Sequence, residues 1–199
     1  MEELAVNFSN VTKSFWREKA RDDEQSKLKR IFSKAESEKI FAVNNISFQI
    51  NRGETVAFIG PNGSGKSTSI KMMTGILFPN DGEIKVLGLS PHAQRIKLTK
   101  RIGCVFGQKS NLWFHLPPSD SFKLLGKIYD LDKKALNERL DQLTESFQLK
   151  DIINTPVRKL SLGQRMKCEI VSTLLHRPEV LFLDEPTIGL HQRDNHQLI

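Results

Sequence analysis

Nine consecutive residues, Gly60-Pro61-Asn62-Gly63-Ser64-Gly65-Lys66-Ser67-Thr68, set three glycines ahead of a lysine and two hydroxyls. Glycine reaches backbone angles closed to other residues, so successive N–H groups in such a loop can turn inward around an anion. A helix opening at Lys66 would aim its positive end at the same point. Lys66 could then reach the β- and γ-phosphates of a nucleoside triphosphate, and the Ser67 hydroxyl could ligate Mg²⁺. The spacing G-x-x-x-x-G-K-[ST] is specific when a strand precedes it and a helix follows. A second pair of chemistry-bearing residues, Asp184 and Glu185, closes the apolar run Val180-Leu181-Phe182-Leu183. A carboxylate at the end of a buried strand can hold the magnesium shell, and its neighbour can take a proton from an attacking water. Without the glycine loop this pair would read as turn chemistry, since Asp-Glu-Pro suits a turn. With it, the paired reading is the stronger.

Elements must hold these groups. Alternation over Leu4 to Phe8 predicts a strand, and Phe41 to Ile50 a second, ending at the turn signal Asn51-Arg52-Gly53. A third, Thr55 to Ile59, leads into the glycine loop, and a helix is expected from Lys66 to Leu77. Asn80-Asp81-Gly82 marks a turn before a strand at Glu83 to Leu87, and Arg101 to Phe106 reads as another. From Ser119 to Phe147 the apolar residues recur at helical spacing (Phe122, Leu125, Ile128, then Leu136, Leu140, Leu143), and Val180 to Leu183 returns to a strand. Strands alternating with helices predict an α/β core with a largely parallel sheet. The charged stretch 17–40 interrupts the first strands, with Leu28, Ile31, Phe32 and Ala35 at helical spacing. It reads as a surface insertion carrying one short amphipathic helix.

Composition bounds the remaining possibilities. The chain has 199 residues, 38% of them hydrophobic and 27% charged, which suits one ordinary folded domain. Its apolar runs are strand-length, against the ~20 residues a membrane span requires. The opening MEELAVNFSN lacks the apolar core of a signal peptide, and Cys104 and Cys168 read as reduced, buried thiols, so a cytoplasmic setting is expected. The net charge of +7 is not organised into aromatic-interleaved basic runs, so no nucleic-acid partner is expected.

Leu160-Ser161-Leu162-Gly163-Gln164-Arg165 lies shortly before the Val180 strand. Together with the glycine loop it resembles the ABC ATPase family, whose signature is usually written LSGGQ. The resemblance runs from about Leu4 to His191. It implies a P-loop NTPase (RecA-like) core with an antiparallel β subdomain and an inserted α-helical subdomain. The core would cover about 1–110 and 178–199, and the helical part about 115–177. It further implies ATP and Mg²⁺ as cofactors, hydrolysis coupled to transport, and a membrane permease subunit as partner. A second ABC ATPase domain, of the same or another chain, would pair head to tail so that each signature meets the other's γ-phosphate. The subunit would sit peripherally on the inner face of the cell membrane.

Carried over residue by residue, the resemblance makes Gln108 the loop glutamine that touches magnesium and relays to the membrane subunit. Phe15 becomes the ring that stacks on adenine, with Trp16 and Phe41 as rivals. Ser161, Gly163 and Gln164 become the signature contacts, although an ordinary N-cap role suits Ser161 equally well. Leu162 replaces a signature glycine. This variant, with Arg165-Met166 and with Val105 to Trp113, resembles an exporter-type branch. His191 stands where the family usually has aspartate. The family's γ-phosphate-sensing histidine has no counterpart before Ile199, so the domain is expected to be incomplete at that end and weakly active alone. The other readings that these residues leave open are a hydrolysis-deficient nucleotide-binding fragment and a soluble ABC protein acting on ribosomes or nucleic acid.

Overall fold

A computed structural model describes residues 4–18, 37–107 and 110–184. The chain forms two compact units, 1–95 and 96–199, which are described separately.

The first unit is built on a three-stranded antiparallel sheet ordered β2-β1-β3. Strand β1 spans Leu4–Glu18, β2 Ser37–Asn51 and β3 Asp81–Val86. Both strands of the long hairpin run well beyond the predicted Leu4–Phe8 and Phe41–Ile50. The outer rungs, Phe15↔Ile40, Trp16↔Lys39 and Arg17↔Glu38, reach into both ends of the stretch 17–40 expected to be an insertion. Its middle, with the helix expected around Leu28, lies outside the described residues. Val6, Phe8, Val11, Ile84 and Val86 fill the core, and Phe8 stacks on Phe48 with ring centroids 4.6 Å apart. Helix α1 (Lys66–Met73) brings Ile70, Met72 and Met73 into this unit's buried set. It is shorter than expected because Thr74 caps it and Gly75 turns away at φ +74°.

The run Thr55 to Ile59 is a correction. It forms no strand, Val56 is half exposed, and Ile59 is 93% exposed. Its apolar residues satisfy the local pattern for a buried strand. A strand exists only when a neighbour takes its backbone groups, however, and among the described residues no strand pairs with this run.

Helix α2 (Arg95–Thr99) carries the chain into the second unit. There β4 (Ile102–Phe106) and β5 (Val180–Asp184) pair in parallel, from Ile102↔Val180 to Phe106↔Asp184. Between them come α3 (Pro118–Ile128), α4 (Lys133–Ser146) and α5 (Leu162–Leu174). Proline at the start of α3 suits a first turn that has no intrahelical use for its N–H. The helical stretch expected from Ser119 to Phe147 divides into two helices where Asp130 turns to φ +54° and the Asp132 carboxylate caps α4, accepting from the N–H groups of Lys134 and Ala135. Helix α5 is buried on two faces. Cys168, Val171 and Leu175 join Leu112, Phe122, Leu136 and Leu149 in a helical core, while Met166 and Ile170 join Val105 of β4. Both cysteines are free thiols, and burial pushes each up to about 12.

Candidate functional site

The glycine loop takes the form its composition predicts. Gly63 and Gly65 lie at φ +85° and +90°, where a side chain is strained. At Gly65 a β-carbon would also fall 2.2 Å from the carbonyl oxygen of Ala42 on β2. Glycine is therefore required there twice, for the backbone angle and for close packing on the sheet. Gly65 then serves as the N-cap of α1 with no side-chain bond of its own, and Ser69 N–H donates to its carbonyl at 2.8 Å. The ammonium of Lys66 folds back across the loop and donates to the carbonyls of Gly60 at 2.7 Å and Pro61 at 2.8 Å. A three-proton cation is thus fixed over the loop by the groups that precede it. Pro61, Asn62 and Ser64 are exposed along the rim, and Ser67 and Thr68 are half-buried in the first turn of α1.

The loop opens onto a cleft of about 690 Å³. One end is Gly63, Ser64, Gly65 and Lys66; the rest includes Phe41, Val43, Phe48, Val56 and Ile59. A polar, glycine-lined end beside an apolar wall has the layout of a site for a phosphorylated heterocycle. Of the three candidate rings, Phe41 lines this cleft. The pairing Ser14↔Phe41 beside Phe15↔Ile40 puts Phe15 and Phe41 on opposite faces of the hairpin, since neighbouring residues of a strand point opposite ways. Phe15 is therefore not a wall of the cleft, and Trp16, on the Phe41 face, is 72% exposed farther out. Lys39 sits 5.1 Å from the Phe41 ring centroid.

In the second unit, Asp184 ends β5 level with Phe106, and its carbonyl accepts from Gly107 N–H at 3.0 Å. It stands at the carboxyl edge of the parallel pair, where open α/β sheets present ligand groups. Glu185 and Gln108 lie outside the described residues, as does His191. Ser161 is the N-cap of α5 in a reciprocal box with Gln164. The Gln164 N–H donates to Ser161 Oγ at 3.2 Å, and the Ser161 N–H donates to Gln164 Oε1 at 2.9 Å. The capping reading of Ser161 is thus realised. A helix start of this kind, with Gly163 in its first turn, suits an anion. Leu162 is half exposed there.

Sequence reasoning passed over Glu169. It is buried on α5, where its carboxylate accepts from the Ser110 hydroxyl and, at 2.9 Å, from the Asn111 N–H. Burial raises its affinity for a proton, against the opposing effect of these bonds and of Arg165. The available signal was a lone acid in the apolar sequence Met166 to Leu175, at a position where helical spacing demands burial.

The donor sets suit the cofactors expected of them. The loop offers positive-φ glycines and a lysine at a helix N-terminus, as phosphate requires. Ser67 and Asp184 offer the hydroxyl and carboxylate oxygens that Mg²⁺ prefers.

Known proteins agree with this geometry. Residues 43–188 match the family model described as ABC transporter. The chain is 36% identical over 149 residues to the probable multidrug ABC transporter ATP-binding protein YbhF of Escherichia coli, covering 75% of this chain and 26% of that protein. It is 34% identical over 149 residues to the ABC transporter ATP-binding protein NatA of Bacillus subtilis, covering 75% and 61%. The chain therefore spans from about a quarter to three fifths of the length of these two relatives. Among solved structures it superposes on the dimeric post-hydrolysis state of the ATP-binding cassette MJ0796 bound to ADP and Pi. The TM-score there is 0.75 at 26% identity, covering 97% of this chain and 79% of that one. A glycine loop of this form, a capped signature helix and a match across most of the chain place it in a known group: it belongs to the ABC transporter family.

Proposed function

We propose that this chain binds ATP with Mg²⁺ and hydrolyses it to drive transport, export in particular, through a membrane permease. The observation that carries the proposal is the Gly65–Lys66 junction at the mouth of the cleft. Phosphates fit against the loop N–H groups and the Lys66 ammonium, and the base fits along the apolar wall at Phe41. Ser67 and Asp184, with Gln108, would be the residues to hold Mg²⁺, which would supply positive charge to offset that of the phosphates. Glu185, next after Asp184 in sequence, would accept a proton from water. Lys66 costs little reorganisation in this scheme, because it need only exchange the Gly60 and Pro61 carbonyls for phosphate oxygens.

Pairing with a second ATPase domain would let Ser161, Gly163 and Gln164 meet the γ-phosphate held by the partner. The multidrug name of the Escherichia coli relative and the daunorubicin resistance name of another support export. No helix among the described residues is long and apolar enough to cross a membrane, which is compatible with a peripheral subunit at the inner face. The test is steady-state phosphate release by the full chain beside Glu185→Gln. The amide keeps size and shape but cannot accept the proton, so hydrolysis should fall by about 10²–10⁴ with ATP binding kept. Hydrolysis at the wild-type rate would remove Glu185 from the mechanism.

A further inference from the structure

The loop glutamine and the signature are separated by more than fifty residues of sequence, yet one buried side chain joins the segments that follow them. We infer that Glu169 is a positioning residue that ties the signature helix α5 to the segment leaving Gln108, so that the two move as one piece during ATP turnover. This inference rests on the ATPase reading given above.

The tie is made of complementary acceptor and donor groups. The Glu169 carboxylate accepts from the Ser110 hydroxyl and from the Asn111 N–H, while Ser110 Oγ accepts in turn from the Leu112 N–H at 3.1 Å. Leu112 itself is buried in the helical core beside Phe122 and Leu149. One turn earlier on α5, the Arg165 guanidinium lies 5.3 Å from the Phe114 ring centroid, a second contact between the same helix and the same segment. An ionised carboxylate accepts at both oxygens, whereas a glutamine has one accepting oxygen and presents NH₂ at the other position. A buried acid is costly unless it is bonded in this way, so an apolar residue would fill the position better if packing alone were needed. Ser110 lies two residues after Gln108, and Ser161 caps the first turn of α5, so the tie sits close in sequence to both functional segments.

Hydrogen exchange on the full chain reads the tie directly. Glu169→Gln should speed exchange at the Asn111 and Leu112 amides by about tenfold or more, since local opening follows lost bonds, while the Phe122 to Lys127 amides of α3 keep their protection. Ser110→Ala, a milder change, should expose Leu112 in the same sense if the glutamine variant folds poorly. For turnover, kcat should fall by about tenfold in both variants while KM for ATP stays within about twofold, the split expected of lost positioning. A core substitution matched for thermal destabilisation, Leu149→Val, should leave kcat unchanged. Unchanged exchange at Asn111 and Leu112 would overturn the tie. Faster exchange with unchanged kcat would overturn its role in turnover. A wild-type chain that neither binds nor hydrolyses ATP would overturn the ATPase reading and that role together, with the exchange result still deciding whether the tie exists.

Discussion

At the scale of single residues, positions in the cleft answer to definite physical demands. Gly65 must be glycine for its angle and because a β-carbon there would fall 2.2 Å from the Ala42 carbonyl oxygen; Lys66 must be a cation long enough to cross the loop. Phe41 is the instructive case. Residue order alone left three rings open, because the charged stretch obscures how the two strands align. In the register Ser14↔Phe41, Phe41 falls among the cleft-lining residues and Phe15 on the other face, and registers are set by pairing across the sheet rather than by local sequence. Stacking of a base on an aromatic ring is worth about 1–3 kcal/mol. Phe41→Ala should therefore weaken ATP binding by about five- to a hundredfold, and Phe15→Ala by less than about twofold. Fluorescent-nucleotide titration of both variants checks this, and the reverse order would return the role to Phe15.

At the scale of elements, what was legible followed periodicity and what was not depended on partners. The strands around Phe106 and Val180 and the helices around Phe122 and Leu140 carry their pattern locally, and they formed as expected. The hairpin grew longer because its outer rungs pair charged and aromatic residues that do not alternate cleanly. Thr55 to Ile59 has the right pattern and no strand. Helix α2 is only five residues long, too short to register as periodic. Ser161 shows the same division: its capping box is written in the sequence as Ser-x-x-Gln, whereas a role toward a partner's phosphate is not.

One junction between elements makes a pH prediction. His176 stacks on Tyr129 with centroids 4.0 Å apart and places Nε2 2.9 Å from the Ile102 carbonyl. Burial holds its proton affinity below the usual histidine range, against the weaker pull of that carbonyl. A base depressed in the folded state contributes stability above its unfolded value, about 6.5, and loses it as pH falls through the folded value. Thermal stability should thus drop from pH 7.5 toward pH 5. His176→Phe keeps the stacking and should show a shallower drop, though less stable at pH 7.5 by about 1 kcal/mol for the lost hydrogen bond. Some slope should persist from His92, which burial, Arg95 and Lys13 shift the same way. Equal slopes in calorimetric scans would take His176 out of the acid response.

At the scale of the molecule, the family was readable because each of its motifs is a short contiguous run bound to one chemistry. The other candidate groups, Ser161 and Asp184, lie about a hundred residues farther along the chain in the second unit, and no local pattern encodes a role for them toward a nucleotide. The central claim is that the glycine loop and Lys66 bind the phosphates of ATP. Calorimetric titration of ATP with Mg²⁺ into the full chain and into Lys66→Ala tests it most directly. Loss of a charge-assisted bond worth about 1.5–3 kcal/mol should weaken binding by roughly ten- to over a hundredfold, since the loop amides cannot replace the ammonium. Near-equal affinity in the two proteins would contradict the account.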